Sequence, residues 1–428
     1  MSNALKKAAR IASTVTVLSV LGASAAYADK VDTDSVIKNY ADIALAGFQD
    51  SLTSAKALDT AIDTLVRSPS DASLNAARAA WITARAPYQQ TEVYRFGNAI
   101  VDDWEGRVNA WPLDEGLIDY VDTSYGDESD ENALYTVNVI ANSKLSVNGK
   151  EIDATAITPA LISETLHEAE EVESNVATGY HAIEFLLWGQ DLNGNGPGAG
   201  NRPATDFDVE NCTGGNCDRR AQYLKSASTL LISDLEEMAA NWETNGNART
   251  SLLKDPSASL STIFTGMGSL SYGELAGERM KLGLLLNDPE EEHDCFSDNT
   301  HNSHYFDQIG IRNVYTGHYR RLDGSVVSGP SISDLVKEKD AAVDAELLGK
   351  LDSTVSSMAN MKARAESIEA YDQMIGEGNV IGNATVQAAI DGLINQTRSI
   401  ERAVVALGLS EIDVEGSDSL DNPNSVFN

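Results

Sequence analysis

Positive charge is scarce in this sequence. The chain has 31 Lys and Arg residues against 65 Asp and Glu residues, and its formal net charge is −34. Nucleic acids and anionic membrane surfaces repel so acidic a chain, and we therefore exclude both as natural partners. The same charge suits attraction of cations or life in a saline habitat, and composition does not choose between these explanations.

Long apolar runs are missing beyond the N-terminus, so no later segment is predicted to span a bilayer. Three basic residues precede an apolar stretch at 11–22, and Ala26-Tyr27-Ala28 then matches an A-x-A cleavage site. These features predict a secretory signal peptide over residues 1–28 and an exported mature chain. In a bacterium with two membranes, that chain is expected in the periplasm. The cleavage site has no cysteine near it, so we expect no lipid anchor there.

Cysteine is also scarce, with three in the whole chain. Cys212 and Cys217 are separated by Thr-Gly-Gly-Asn, and in an exported chain this spacing predicts a small local disulfide. Cys295 is left over, as a buried thiol or as a ligand.

Strand-like runs are few and short, whereas amphipathic helical patterns recur along the chain. We therefore predict an all-α fold of two four-helix-bundle-like halves with long irregular loops. The N-terminal bundle is placed at residues 29–250, and the C-terminal bundle with an acidic tail at residues 251–428. One short hairpin is predicted around Asn148-Gly149.

One apolar helical segment, residues 179–188, carries a His and a Glu three positions apart. Residues at i and i+3 share a helix face, so His181 and Glu184 point the same way from a segment too apolar to be a solvated face. An imidazole and a carboxylate aimed together can form half of a metal site. The alternative is a core His with a Glu as its hydrogen-bond partner.

A second helix, predicted from about residue 71 to residue 96 with a kink at Pro87, carries an aromatic and charged stripe. Its members recur at spacings of four and three, and they are Trp81, Arg85, Tyr88, Glu92 and Arg95. Two aromatic rings indicate that the stripe faces inward. Buried charges of this kind are costly unless they are paired, so we expect an arginine to hydrogen-bond groups of the second half. The alternative is an Arg–Glu pair at a helix edge.

The second half of the chain supplies further polar groups. Glu274 and Glu278 lie four residues apart on one predicted helix face. An irregular segment at 290–329 holds four of the six histidines. A long polar loop of this composition more often carries functional residues than only connects two helices. We predict that Asp298 or His301 from this loop reaches the H-x-x-E pocket. The alternative is a hydrogen-bonded loop packed across a bundle end.

The segment Asp191-Leu192-Asn193-Gly194-Asn195-Gly196 begins like a calcium-binding loop. Arg202 stands where an EF-hand requires its bidentate Glu, so the EF-hand interpretation fails. Another calcium geometry stays open for the loop from Asp191 to Asp206, without support from the sequence.

Together these motifs resemble the imelysin family, and within it the iron-regulated-protein-A-like branch. The resemblance rests on several segments in order: Gly179-x-His181-x-x-Glu184, the stripe helix with Phe96-Gly97-Asn98, Trp111-Pro112-Leu113-Asp114-Glu115, the loop 191–206, and the segments 273–279 and 293–301. It covers nearly the whole mature chain. It implies two helical bundles with a site at their interface, a cell-envelope location and a role linked to iron acquisition, and some members are described as metallopeptidases.

The resemblance favours His181 and Glu184 as metal ligands, and together with the stripe it favours Glu92 as the third. We predict a protein that binds a divalent or trivalent metal ion, with iron favoured and zinc possible, in iron uptake or sensing. A metallopeptidase is one alternative, but H-E-x-x-H is absent and catalysis stays undecided. The other is a binding protein for an iron chelate, haem or acidic polymer, held by Arg85 and Arg95. No haem-attachment motif is present.

Overall fold

The computed structural model describes residues 30–410 and 412–427. The predicted signal peptide lies outside the described residues. From Val31 onward the chain forms one compact unit, and the predicted division at residue 250 stays a prediction. In this part of the chain, no helix combines the length and the apolar character needed to cross a membrane.

Most of the described chain is helical, as the sequence predicts. The helices are α1 (Thr33–Arg67), α2 (Asp71–Gln89), α3 (Ala99–Asn109), α4 (Glu115–Ile118), α5 (Pro159–Leu161), α6 (Gly179–Trp188), α7 (Cys217–Trp242), α8 (Asn247–Leu252), α9 (Pro256–Ser269), α10 (Leu282–Leu286), α11 (Thr300–Thr316), α12 (Ile332–Lys339), α13 (Ala341–Ser367), α14 (Tyr371–Ile375), α15 (Val380–Leu407) and α16 (Asp418–Asp421). A π-helical segment, Leu270–Lys281, joins α9 directly to α10.

Two small antiparallel hairpins accompany the helices. They pair β1 (Lys144–Val147) with β2 (Lys150–Asp153), and β3 (His318–Arg320) with β4 (Val326–Ser328). The first hairpin turns through Asn148 and Gly149, whose φ angles of 53° and 69° are those that a two-residue primed turn needs. The predicted hairpin is therefore confirmed.

Helix α1 organises the first group of helices and packs against α2 and α7. Its start is fixed by Asp32, whose side chain accepts a hydrogen bond from the amide of Ser35. Its apolar face, including Leu58, Ile62 and Leu65, is fully buried. Each such side chain contributes about 1.5–3 kcal/mol relative to an exposed one, so this face anchors the group.

Helices α13 and α15 organise a second group with the π-helical segment and α11. Helix α11 also packs against α2, which carries the charged stripe. Gly310 permits this approach, because a Cβ there would lie 2.6 Å from the carbonyl oxygen of Gln90. Polar groups of the second half are thereby brought to the stripe of the first.

The stripe helix is shorter than the sequence predicts. Helix α2 ends at Gln89, and a 3₁₀ turn, Glu92–Tyr94, follows. Pro87 has no amide proton for the helical ladder, and the amide and hydroxyl of Thr91 both bond to the carbonyl of Tyr88, which tightens the chain into a turn. Arg95 therefore leaves the helical line of the stripe.

Candidate metal centre

Helix α6 carries the H-x-x-E pair into the core. It begins at Gly179, whose φ is +78° and where a Cβ would lie 2.4 Å from the carbonyl oxygen of Val108. Only glycine allows both this backbone conformation and this approach of α6 to α3. All ten residues of α6 are buried, so His181 and Glu184 are out of contact with bulk water.

Glu184 fixes the orientation of the His181 ring. Its Oε2 lies 3.0 Å from His181 Nδ1, and its Oε1 accepts from the amide (3.0 Å) and hydroxyl (2.6 Å) of Ser297. The Nε2 atom of His181 is buried and has no hydrogen-bond partner in the described chain. A carboxylate that holds one ring nitrogen while the other stays free is the usual arrangement behind a metal-ligating histidine.

The loop before α11 adds a second histidine and an aspartate. His181, His293 and Asp294 each offer one ligand atom, and these atoms lie within 4.8 Å of one another. The two imidazole rings meet edge to face with centroids 4.7 Å apart. Within residues 30–427 as described, His293 Nδ1 is also buried without a hydrogen-bond partner. Two imidazoles, each with an unpartnered ring nitrogen, and a carboxylate thus converge.

Asp294 is held by three side chains. Arg85 donates to its Oδ1 at 2.9 Å, while Asn299 (2.8 Å) and Ser303 (2.5 Å) donate to its Oδ2. Burial by itself would raise the pKa of Asp294, but the Arg85 guanidinium contributes most to outweighing it, and the pKa is lowered. An ionised carboxylate has about four lone-pair directions, so three hydrogen bonds leave one for a cation.

The protonation states suit metal binding. Burial lowers the pKa of His181 to about 3 and that of His293 well below its ordinary value, so both rings are neutral and offer lone pairs. Burial, followed by the nearby Asp294 charge, raises the pKa of Glu184. A cation at this place would relieve the repulsion between the two carboxylates. These residues therefore fit a metal ion.

Asn109, at the end of α3, links the stripe to this cluster. It accepts a hydrogen bond from Arg85 Nη1 at 2.6 Å and donates to Glu105 at 3.0 Å. Its Nδ2 lies 3.4 Å from His293 Nε2 and 3.4 Å from Glu92 Oε2. No motif in the sequence marks Asn109, because its role depends on where α3 ends.

Glu92 lies in an ion-pair network beside the cluster. Arg279 donates to Glu92 at 2.8 Å and to Glu274 at 2.8 Å, and it also contacts Asp307 at 3.4 Å. Arg279 and Glu274 are five residues apart, which makes them neighbours on a π-helix rather than on an α-helix. Glu278 is exposed and has no part in this network, but it lines the same cleft as Glu274.

A cleft of about 340 Å³ leads from the surface to His293. Its charged lining residues are Glu105, Glu274, Glu278, Glu291, Arg95 and Arg279. Burial, followed by the charge of Glu92, raises the pKa of Glu105 to about 7. The volume falls within the usual range for small-ligand sites, and the four carboxyl groups outnumber the two guanidinium groups.

The remaining stripe residues frame the cluster. The indole of Trp81 donates to the carbonyl of Tyr180 at 2.9 Å, and the Arg85 guanidinium lies 5.7 Å from the Tyr88 ring centroid. Arg95 is about a quarter exposed and bonds Asp102 at 2.8 Å. Arg85 and Glu92 find their partners in the second half, in Asp294 and Arg279, whereas Arg95 reaches that half only through a longer contact of 3.5 Å with Glu274.

The polar loop reaches the H-x-x-E pair with different residues from those predicted. The contacts come from His293, Asp294 and Ser297, whereas Asp298 groups with carboxylates elsewhere and His301 bonds Asn302. The signal was present in the sequence, because all these residues belong to one His- and Asp-rich segment. Only the folded loop decides which of its side chains turn inward.

The cysteines occupy two separate places. Cys212 and Cys217 form a disulfide with Cα atoms 5.9 Å apart. Cys295 has a free thiol, and burial raises the pKa of that thiol.

Comparisons with known proteins place the chain in a family. The imelysin (Peptidase M75) family model matches residues 44–400. Iron-regulated protein A from Synechococcus elongatus is 33% identical over 87 residues, which are 20% of this chain and 24% of that protein. The aligned chain therefore spans about a quarter of the length of this relative.

Two solved structures share the fold. A protein from Parabacteroides distasonis described as a precursor of iron-regulated protein A superposes with a TM-score of 0.62 at 19% identity, over 89% of this chain and 97% of that one. An imelysin-like protein from Psychrobacter arcticum gives a TM-score of 0.58 at 17% identity, over 89% and 98%. Because the family model also covers most of the sequence, the chain belongs to the imelysin family.

Proposed function

We propose that this protein is an exported cell-envelope protein that binds a metal ion, iron in preference, and acts in iron uptake or sensing. One observation carries the proposal: two neutral histidines with unpartnered nitrogens and one ionised aspartate converge in a buried cluster. His181, His293 and Asp294 would hold the ion. Glu184 would orient His181 and Arg85 would orient Asp294.

The donor set indicates which metals suit this cluster. Two imidazoles and one carboxylate with further positions open are typical of non-haem Fe(II) sites, and the same set occurs in zinc sites. The named relative and one solved structure carry the description iron-regulated protein A, which favours iron for this chain. Glu92, predicted from sequence as a ligand, is engaged by Arg279 and contributes negative charge beside the ion.

The charge of the cleft favours a metal cation over an anionic iron chelate or haem. Carboxyl groups outnumber guanidinium groups along it, and both arginines are already paired with carboxylates. An anionic ligand would find no free positive group among these lining residues, whereas a cation is attracted along the whole cleft.

The test is metal analysis with matched histidine variants. Wild type, His181→Ala, His293→Ala and the exposed control His318→Ala are purified without chelator, and their metal content and Fe²⁺ and Zn²⁺ affinities are measured. We expect about one ion per chain in wild type and His318→Ala, and loss of binding in the other two. Glu184→Gln should lower affinity by roughly 10–100-fold, as for other orienting groups. Equal binding by all the variants would refute the site.

One observation favours peptidase activity as a second candidate. Glu105 lines the cleft next to His293 and has a pKa of about 7, which suits a general base at neutral pH. The experiment measures chelator-sensitive cleavage of an unfolded protein by wild type and Glu105→Gln. A peptidase would lose turnover in Glu105→Gln while metal content is unchanged. Absence of cleavage by the metal-loaded wild type would leave metal binding as the function.

A further inference from the structure

A second group of carboxylates lies outside the metal centre described above. Asp191, Asp298 and Asp372 each offer one oxygen, and these oxygens lie within 4.8 Å of one another. They come from three distant segments: the loop after α6, the loop before α11, and the start of α14. Their donors are oxygens alone, in contrast to the two imidazoles of the first cluster.

Asp372 is the feature that points to a ligand. It is 1% exposed, and neither of its carboxylate oxygens forms a hydrogen bond in the described chain. Asp298 also has a buried Oδ1 without a partner, and its φ of +55° is uncommon for a residue other than glycine. A buried carboxylate without partners is strongly destabilising unless it is protonated or bound to a cation.

Positive groups are missing from this cluster within the described residues. None of its three carboxylates has an ion pair with Lys, Arg or His there. Glu292 is also buried, and it lines a small cavity together with Asp191 and Asp372. At this spacing the ionised carboxylates repel one another, and a cation between them would relieve that repulsion.

A small cavity lies beside two of these carboxylates. Asp191 and Asp372 line it together with Glu292, and its volume is about 10 Å³, roughly the space of one water-sized particle, whereas Asp298 approaches the group from outside this lining. The Asn193 amide and side chain donate to Asp191 at 2.9 and 2.7 Å, which holds its carboxylate. The Asn195 side chain donates to the Asp372 carbonyl at 2.9 Å and ties the loop to α14.

We propose that Asp191, Asp298 and Asp372 bind a second cation, Ca²⁺, distinct from the ion of the histidine cluster. Ca²⁺ takes carboxylate oxygens at about 2.3–2.6 Å in irregular geometry, and a spacing within 4.8 Å fits oxygens around one such ion. Asp298 follows Ser297, which bonds Glu184, so the cation also holds the loop that completes the first centre.

The test compares thermal unfolding with and without Ca²⁺ at constant ionic strength. Chelator-treated wild type should gain about 2–3 °C in Tm at 10 mM Ca²⁺, for a Kd of roughly 0.1–1 mM. Asp372→Asn should respond little and bind Ca²⁺ at least about 10-fold more weakly. In chelator its Tm should equal or exceed that of wild type, because one repelling buried charge is removed. Asp372→Asn would then have the equal or higher Tm in chelator and the lower Tm in Ca²⁺. A carboxylate that only stabilises the fold would give the variant the lower Tm under both conditions.

Three further arms keep the outcomes distinct. Asp298→Asn replaces Asp372→Asn if the latter fails to fold, and exposed Asp103→Asn is the matched control that should respond like wild type. His181→Ala should keep the gain in Tm with Ca²⁺, because it leaves the three aspartates unchanged. A result against the histidine cluster would therefore not count against the Ca²⁺ site. Equal gains in wild type and Asp372→Asn would overturn the proposal, because they would report general charge screening. A gain with Mg²⁺ equal to that with Ca²⁺ would overturn the choice of Ca²⁺.

Discussion

Replacing Arg85 by Met is expected to destabilise the metal-free protein by about 3–5 kcal/mol, the usual cost of removing one partner of a buried ion pair. Arg85 and Asp294 are 1% and 0% exposed, and the atoms of the pair are 2.9 Å apart. Met replaces the aliphatic part of the Arg side chain without the charge, so Asp294 keeps its neutral donors Asn299 and Ser303 but loses the cation that favours its ionised form.

The magnitude can be followed in two measurements. Chemical unfolding gives the free-energy change directly, and thermal unfolding should show a fall of about 5 °C, since unfolding about 400 residues carries roughly 0.8 kcal/mol/K of entropy. The matched control is Arg312→Met, which removes a surface pair with Asp352 and should cost less than about 1 kcal/mol.

The cost of Arg85→Met should also depend on whether metal is bound. If Asp294 is a ligand, the bound cation takes over part of the role of Arg85, so Arg85→Met should cost less in the loaded protein than in chelator. The same cost under both conditions would refute the assignment of Asp294 as a ligand. A cost as small as that of Arg312→Met would refute the whole electrostatic argument.

Two predictions concern positions around the site. Gly179→Ala should destabilise by at least about 3 kcal/mol in chemical unfolding, because its φ is +78° and its Cβ would meet the Val108 carbonyl at 2.4 Å; a smaller loss would mean that α6 can shift. Asp119→Asn should cost roughly 3 kcal/mol at pH 7, because Arg202 and Arg220 outweigh burial and lower the pKa of Asp119. The cost of Asp119→Asn should be fully present above pH 3.8, the pKa of this carboxyl group in the unfolded chain, and should vanish as the pH falls through its lower pKa in the folded state. A cost that grew at acid pH would contradict the reasoning.

Much of the local structure was predictable because it depends on neighbours in the sequence. The cap at Asp32, the apolar face of α1 and the turn through Asn148 and Gly149 are each specified within a few residues. The i, i+3 spacing of His181 and Glu184 likewise placed both on one face of α6, where they contact each other.

The end of α2 and the pairing on the π-helix were not predictable in the same way. Continued helical spacing suggested a helix through Arg95, but Pro87 and Thr91 close it at Gln89. Likewise, Glu274 pairs at i+5 with Arg279, because a π-helical segment brings different residues together from an α-helix.

By itself, the sequence determined the mostly helical fold, the family and the His181/Glu184 pair, since these follow from periodicity and from contiguous motifs. The tertiary structure alone decided the rest of the site. His293 and Asp294 lie more than a hundred residues from His181, and Asp191 and Asp372 are farther apart still. Their convergence depends on how the loops cross between packed helices, and no local pattern encodes the direction in which a loop side chain will point.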